Sequence, residues 1–322
     1  MKNYVNIFII IVLSFLCFEI LTERESILSS VSFSLEIWKN NIFPSLFPFF
    51  VLSEIMIKFG IPEFIGNLLK PIMRIFKIKS NTAFIFVMSI ISGNPSNAKY
   101  TRELYLSKDI NNYEATKILC FSCFSNPLFI LGTVSLLFLN NHKVGILILF
   151  CHYIGNIIVG LLMRNYHPSK KENNKASIKE ALRGMQEKRI SNKENFGEIF
   201  TNSLINSINT LLLILGVISV CLVFTTIIDN NINLNSILQS VLNGFIEMTQ
   251  GLKYISLEAL PLKIKCVLSV MILSFGGLSV HLQIMSILSD TDIKYMPFLL
   301  SRIIHCLVSG LLTFILFDIY FS

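Results

Sequence analysis

Charge is what this chain has least of. Only 15% of its 322 residues are Asp, Glu, Lys or Arg, 53% are hydrophobic, and the mean hydropathy is +0.65. A soluble domain carries nearer a quarter charged residues, so the composition excludes one and points to an integral membrane protein. Catalytic signatures are also missing. There is no Gly-x-Ser-x-Gly, no His-Glu-x-x-His, and no phosphate-binding glycine loop followed by Lys-Ser/Thr, so an enzyme is not expected. The seven cysteines (17, 120, 123, 151, 221, 266 and 306) lie almost entirely inside apolar runs and outline no extracellular disulfide framework. Cys120-x-x-Cys123 has metal-like spacing but lacks a second pair, so neither a metal site nor a cofactor is expected. No small-x-small cleavage site follows the first apolar run, which ends at Glu19, Glu23 and Arg24, and an uncleaved anchor is expected there.

What the chain has in quantity is apolar length. A bilayer core about 30 Å thick needs roughly 20 apolar residues per helical span. The stretches 4–21, 42–58, 118–140, 144–163, 204–228 and 297–320 meet that need or come close, and 83–99 and 266–289 are apolar but interrupted. The expected fold is all-α: a polytopic membrane protein of about six spans plus two re-entrant helical hairpins in an inverted repeat. The organisation read from this pattern is an anchor helix (1–27), a first membrane repeat (28–163), a basic cytoplasmic linker (164–198) and a second repeat (199–322). The stretches 61–76 and 237–250 read as amphipathic elbow helices.

The net charge of +7 is unevenly spread. Nine basic residues lie within 164–198, among them Lys170, Lys171 and Lys175, and by the positive-inside rule this linker is cytoplasmic. A cytosolic basic loop needs no nucleic acid to explain it. Residues 58–80 and 99–117 are also basic, so the segment between them enters from the inside, turns and returns. Residues 266–289 would then enter from the outside, although Lys253, Lys263 and Lys265 fit that placement poorly and a plain span stays open. Both termini read as cytoplasmic.

The proposed turn is Ser92-Gly93-Asn94-Pro95-Ser96-Asn97-Ala98-Lys99, a polar, helix-breaking octet. Non-helical backbone survives at membrane depth only where protein buries it or it lines a cavity. Shifting the sequence by 183 residues places Val87-Met88, Gly93, Ser96 and Asp109-Ile110 on Val270-Met271, Gly276, Ser279 and Asp292-Ile293. That faint echo pairs the two breaks. Pro95 and Gly93 stop the helix, Ser92, Ser96, Asn94 and Asn97 offer polar groups, and Lys99 adds a positive charge near a helix N-terminus, which suits an anion. The alternative for Lys99 is snorkelling to the cytosolic face. Ser125, Asn126 and Pro127 form a second break. Gly276, Gly277, Ser279, His281 and Gln283 supply the other half of the candidate binding set, and Glu247 and Glu54 are candidates for coupling to a proton.

These motifs carry a resemblance. Phe43-Pro44-Ser45-Leu46-Phe47-Pro48-Phe49-Phe50, the octet, Asn126-Pro127-Leu128-Phe129-Ile130-Leu131-Gly132-Thr133, Glu247-Met-Thr-Gln-Gly251 and Ser274 to Gln283 occur in the order and spacing of one family. Over roughly residues 30–320 the chain resembles the YlbJ (SpoVV) family of sporulation integral membrane proteins, part of the wider set with a nucleoside-recognition, or Gate, domain. The family's first break more often reads Ser-Gly-Tyr-Pro-Ser-Gly-Ala-Lys; Asn94 and Asn97 stand here instead. The resemblance implies a transporter in the mother-cell-derived outer forespore membrane that moves dipicolinic acid, a small planar dianion, toward the spore for its cortex. It implies that 92–99 and 279–283 line the path. Its expected partners are that anion and the lipid bilayer, with a homo-oligomer left open. The alternatives are a nucleoside or ion carrier of the Gate class, or a non-transporting sporulation scaffold acting through 164–198.

Overall fold

The fold was analysed in a computed structural model that describes residues 2–169 and 176–322; Lys170, Lys171 and Lys175 of the linker lie outside it. The described chain is helical, as the composition requires. Helix α1 (Lys2–Thr22) is followed by α2 (Arg24–Ile37), a widened turn at Trp38–Ile42, and α3 (Phe43–Lys58). Two short helices, α4 (Ile61–Leu68) and α5 (Lys70–Ile75), occupy the expected elbow. Then come α6 (Thr82–Ser92), α7 (Ser96–Leu106), α8 (Asn112–Phe121), a π-helical segment (Phe129–Phe138) and α9 (His142–Leu162). The linker contributes α10 (Ile178–Ser191). The second half is α11 (Phe196–Asn231), α12 (Ser236–Ile246), α13 (Met248–Leu257), α14 (Leu262–Phe275), α15 (Gly277–Ile287) and α16 (Tyr295–Phe321).

Among the described residues, four helical stretches are long and apolar enough to cross a membrane: His142–Asn165, Phe196–Asn231, Leu262–Ile287 and Tyr295–Phe321. A fifth forms if the α2/α3 pair, bent by 55°, counts as one span. The expected span 118–140 is not one helix. Pro127 pushes the residue before it into extended backbone, and α8 stops at Phe121 with 122–126 outside any helix.

The octet does turn the chain back on itself. Gly93, with φ +78, ends α6, and the Phe84 and Tyr100 rings, sixteen positions apart in sequence, lie 5.8 Å apart across the two arms. At the base of this hairpin Lys79 donates to the Asp109 carbonyl. A second hairpin exists, but at α12/α13 rather than at 266–289. Ser240 donates to Glu258 over 2.7 Å, Ser236 bonds the same carboxylate, and Gly244 and Gly251 bring the arms into backbone contact around a tip at Glu247. A Cβ on Gly251 would fall on the Gly244 backbone. Gly251→Ala should therefore cost about 1–3 kcal/mol, the usual range for overpacking, read as a lowered unfolding midpoint in detergent.

These contacts correct the register of the repeat. Each half runs hairpin, broken helix, long helix: α6/α7, α8 with 129–138, and α9, then α12/α13, α14/α15, and α16. The counterpart of the Asn94 tip is Glu247, 153 residues on, and the counterpart of the 122–127 break is Gly276. The 183-residue echo paired a hairpin tip with a mid-helix break.

The two ends of the bundle differ. Lys188 of α10 bonds Asp109 at 2.7 Å, Lys117 donates to the Lys77 and Arg164 carbonyls, Lys58 pairs with Glu194, and the Lys294 amide donates to Thr116. All of these lie at the linker end. Lys263 pairs with Asp318, Lys265 bonds the Ser256 carbonyl, and Asn231 bonds Glu19 at the opposite end. Hairpin α6/α7 is based at the linker end and α12/α13 at the far end, so the two halves are inverted. Because α16 runs from Lys294 to Asp318, the last residues lie opposite the linker. The expectation that linker and carboxyl terminus share one side is corrected.

Candidate functional site

Both hairpin tips, the first helix break and the helix after the second break meet at one cavity of about 300 Å³. Asn94 and Pro95 come from the first tip, Glu247, Met248 and Thr249 from the second, Ser125 and Asn126 from the first break, and Ser279 and Gln283 from α15. The bend between α2 and α3 closes one side with Asn40, Asn41 and Pro44, and Ile214 and Ile218 of α11 close another. Each tip touches the break that follows it through a glycine. A Cβ on Gly93 would lie 2.5 Å from the Asn126 amide nitrogen. One on Gly277, at φ +68, would lie 3.1 Å from the Met248 nitrogen and 3.2 Å from the Ile246 carbonyl.

Backbone freed at the breaks is satisfied within the protein, as membrane depth demands. The Asn126 side chain donates to the Ser92 carbonyl at 3.0 Å and accepts from the Leu128 amide at 2.7 Å, tying the tip to the restart of the helix. Glu247 caps α13 by accepting from the Gln250 amide at 2.8 Å. Asn94 differs from these. Its amide lies beside the Cys123 thiol, and neither polar atom has a nitrogen or oxygen partner within the described chain. A buried amide costs about 1–3 kcal/mol when unpaired, so this one is available to a bound molecule.

The structure brings Asn94, Pro95, Ser125, Asn126, Ser279, Gln283 and Glu247 to the cavity and leaves the other sequence candidates outside its lining. Ser92 and Ser96 bond each other at 2.6 Å inside the hairpin, with the Tyr100 hydroxyl 3.3 Å from Ser92. Asn97 is buried with its amide unpartnered, and Gly276 is the turn between α14 and α15, at φ +92. His281 bonds the Tyr295 hydroxyl at 2.9 Å and the freed Phe275 carbonyl at 3.1 Å, so it holds its own break closed.

Lys99 neither faces the cavity nor snorkels. Its ammonium pairs with Glu54 at 2.6 Å, lies 3.4 Å from Ser207 and stands 4.6 Å over the Phe50 ring. The pair joins α7 to α3 at a separate cavity of about 360 Å³ toward the linker end, also lined by Arg102, Asn206 and Asp290. At that rim the Arg102 guanidinium, bonded to Asp290 at 2.8 and 2.5 Å, holds that exposed carboxyl below the usual carboxylate range.

Sequence reading missed a buried cluster behind the first break. Arg302 of α16 is fully buried and donates to the Cys120 carbonyl, to the Cys123 carbonyl at 3.1 Å, to Asn156 at 2.9 Å and to the His305 ring at 2.9 Å. His305 donates onward to the His152 carbonyl at 2.7 Å, and the His152 ring accepts from the Ser125 amide at 2.9 Å. Because Arg302 and the Ser125 amide can only donate, each imidazole must accept on one nitrogen, so both are neutral. The signal was present in the sequence. Arg302 is an ionisable residue inside a predicted span, and such residues are rarely without a task.

Comparison with known proteins identifies the family. The family model described as nucleoside recognition (Gate) matches residues 40–228, more than half of the chain. The sporulation integral membrane protein YlbJ of Bacillus subtilis is 34% identical over 317 residues, covering 90% of this chain and 78% of that protein. No solved structure matches the chain.

Proposed function

We propose that this chain, which belongs to the Gate nucleoside-recognition family and to the YlbJ-type sporulation integral membrane proteins, is a membrane transporter of a small organic anion of the dipicolinate class. One observation carries the reading: a cavity at the junction of two inverted halves, with both hairpin tips, the first break and the helix that follows the second break in its wall. Inverted repeats with broken helices around a central site are the architecture of alternating access. The cavity volume lies at the small end of ligand pockets, which fits a single planar metabolite. The basic linker end, with Lys58, Lys77, Lys117, Arg164 and Lys188, is the cytoplasmic one by the positive-inside rule. On this reading the carboxyl terminus lies across the membrane. In a sporulating cell the membrane concerned is the outer forespore membrane, and net movement runs from the mother cell toward the spore.

The lining favours a second reading on one point. Among the described residues its only ionisable side chain is Glu247, and no Lys, Arg or His lines the cavity. A neutral heterocycle such as a nucleoside would meet no charge penalty there, so a nucleoside is the competitor to test. No catalytic step is proposed, and α10 packs against α4 as part of the fold rather than as a free recruiting arm.

The test is uptake of labelled dipicolinate into proteoliposomes. Asn94→Ala and Ser279→Ala should each lower uptake about two- to twelvefold, the worth of one hydrogen bond at about 0.5–1.5 kcal/mol, without changing the unfolding midpoint. Wild-type uptake in both variants would remove the cavity as the site. Inhibition by excess nucleoside, with no dipicolinate uptake, would install the second reading.

A further inference from the structure

Arg302 presents a problem of charge that the fold leaves unsolved. Its guanidinium is fully buried, it cannot give up its proton, and no carboxylate pairs with it among the described residues. Its partners are two carbonyls, one amide, one neutral imidazole, the Ser301 hydroxyl and the face of the Phe298 ring, none of them anionic. A bare positive charge at membrane depth is expensive, and the local partners lower that cost without cancelling the charge.

Its position gives the charge a use. Arg302 holds the Cys123 carbonyl, two residues before Ser125, which together with Asn126 lines the cavity. The same cluster fixes Ser125 through His152. We propose that Arg302 is the specificity-determining charge of the cavity: it contacts no substrate, but its field through the low-dielectric wall makes the site favour anions over neutral molecules of the same shape. This rests on the transport reading above and adds to it the origin of charge selection. It explains how a cavity with no cationic side chain in its lining takes an anion, and why a substrate bearing a carboxylate completes the charge balance that the protein leaves open.

Asn156 supplies a test that spares the fold. Its Oδ1 accepts from Arg302 at 2.9 Å, so Asn156→Asp keeps the shape and the bond from Arg302 while placing a carboxylate against the guanidinium; it gives up the 3.3 Å bond from Nδ2 to the Cys123 carbonyl, which Arg302 continues to hold. Binding of dipicolinate and of its neutral diamide, pyridine-2,6-dicarboxamide, would be measured on the purified full chain, with the unfolding midpoint as a control. The expected result is at least a tenfold loss of dipicolinate affinity in Asn156→Asp, diamide affinity within about twofold of wild type, and an unchanged or higher midpoint. Arg302→Lys, which keeps the charge and loses the fork, should retain the preference for the dianion; should it fail to fold, the Asn156→Asp comparison stands without it. A wild-type ratio of the two affinities in Asn156→Asp would overturn the proposal. Failure of the wild type to bind dipicolinate at all would instead overturn the transport reading.

Discussion

Replacing Glu247 with glutamine should flatten the pH dependence of substrate binding and abolish accumulation driven by a proton gradient. Glu247 is buried at the tip of α12/α13 and is the only ionisable side chain among the described residues lining the cavity. Two like charges about 5 Å apart at an effective dielectric near 20 repel by about 3 kcal/mol, more than a hundredfold in affinity. On the proposed reading an anionic substrate and an ionised Glu247 exclude each other, so the anion is expected to bind together with a proton. The sign follows. In the wild type, anion affinity falls as pH rises and Glu247 ionises, whereas in Glu247→Gln it stays at the low-pH level throughout. Glutamine can still accept from the Gln250 amide, so the cap on α13 is kept and the fold is not the variable. The measurement is dipicolinate binding across a pH range in which the probe's own charge is constant, paired with uptake under an imposed gradient. Parallel pH profiles for wild type and variant would rule out the coupling role.

How far the site could be read in advance differs between its parts. The first hairpin was legible because two independent signals agreed: basic residues on both flanks and Gly93 with Pro95 between them. The second hairpin was not, because its tip contains no proline. α12 ends at a single extended residue, Glu247, and the close contact of Gly244 with Gly251 is a tertiary feature that no local pattern announces. The 183-residue echo misled for a related reason. Gly and Ser recur wherever a membrane helix is interrupted, so identity at two breaks does not show that they are equivalent breaks. The break at Ser125, Asn126 and Pro127 within 118–140 is legible in the sequence, but the apolar residues on either side of it hide that it separates two helices. Arg302 was overlooked within a strongly apolar run, where one charge barely alters the hydropathy. His152 and Asn156, one helical turn apart on α9, and Arg302 and His305, three apart on α16, line up only when the two helices are packed together.

Lys99→Ala should be among the most destabilising single substitutions in the chain, and it separates two roles that the sequence could not. As a substrate ligand, Lys99 would matter for binding and little for folding. As the structure has it, Lys99 and Glu54 form an ion pair with both partners almost fully buried. Removing Lys99 strands the buried Glu54 carboxylate with the Asn206 amide at 3.3 Å, a loss of about 3–5 kcal/mol for a buried pair. Replacing both partners by neutral residues of similar volume is often close to neutral. Glu54→Gln/Lys99→Met should therefore regain most of the stability lost in Lys99→Ala, a rescue visible as recovery of the unfolding midpoint in detergent. The double variant then decides the role. If the pair only fastens α7 to α3, the refolded double variant binds dipicolinate as tightly as wild type, because neither residue lines the central cavity. A stable double variant that no longer binds would return Lys99 to the substrate path and move the site toward the second cavity at the linker end.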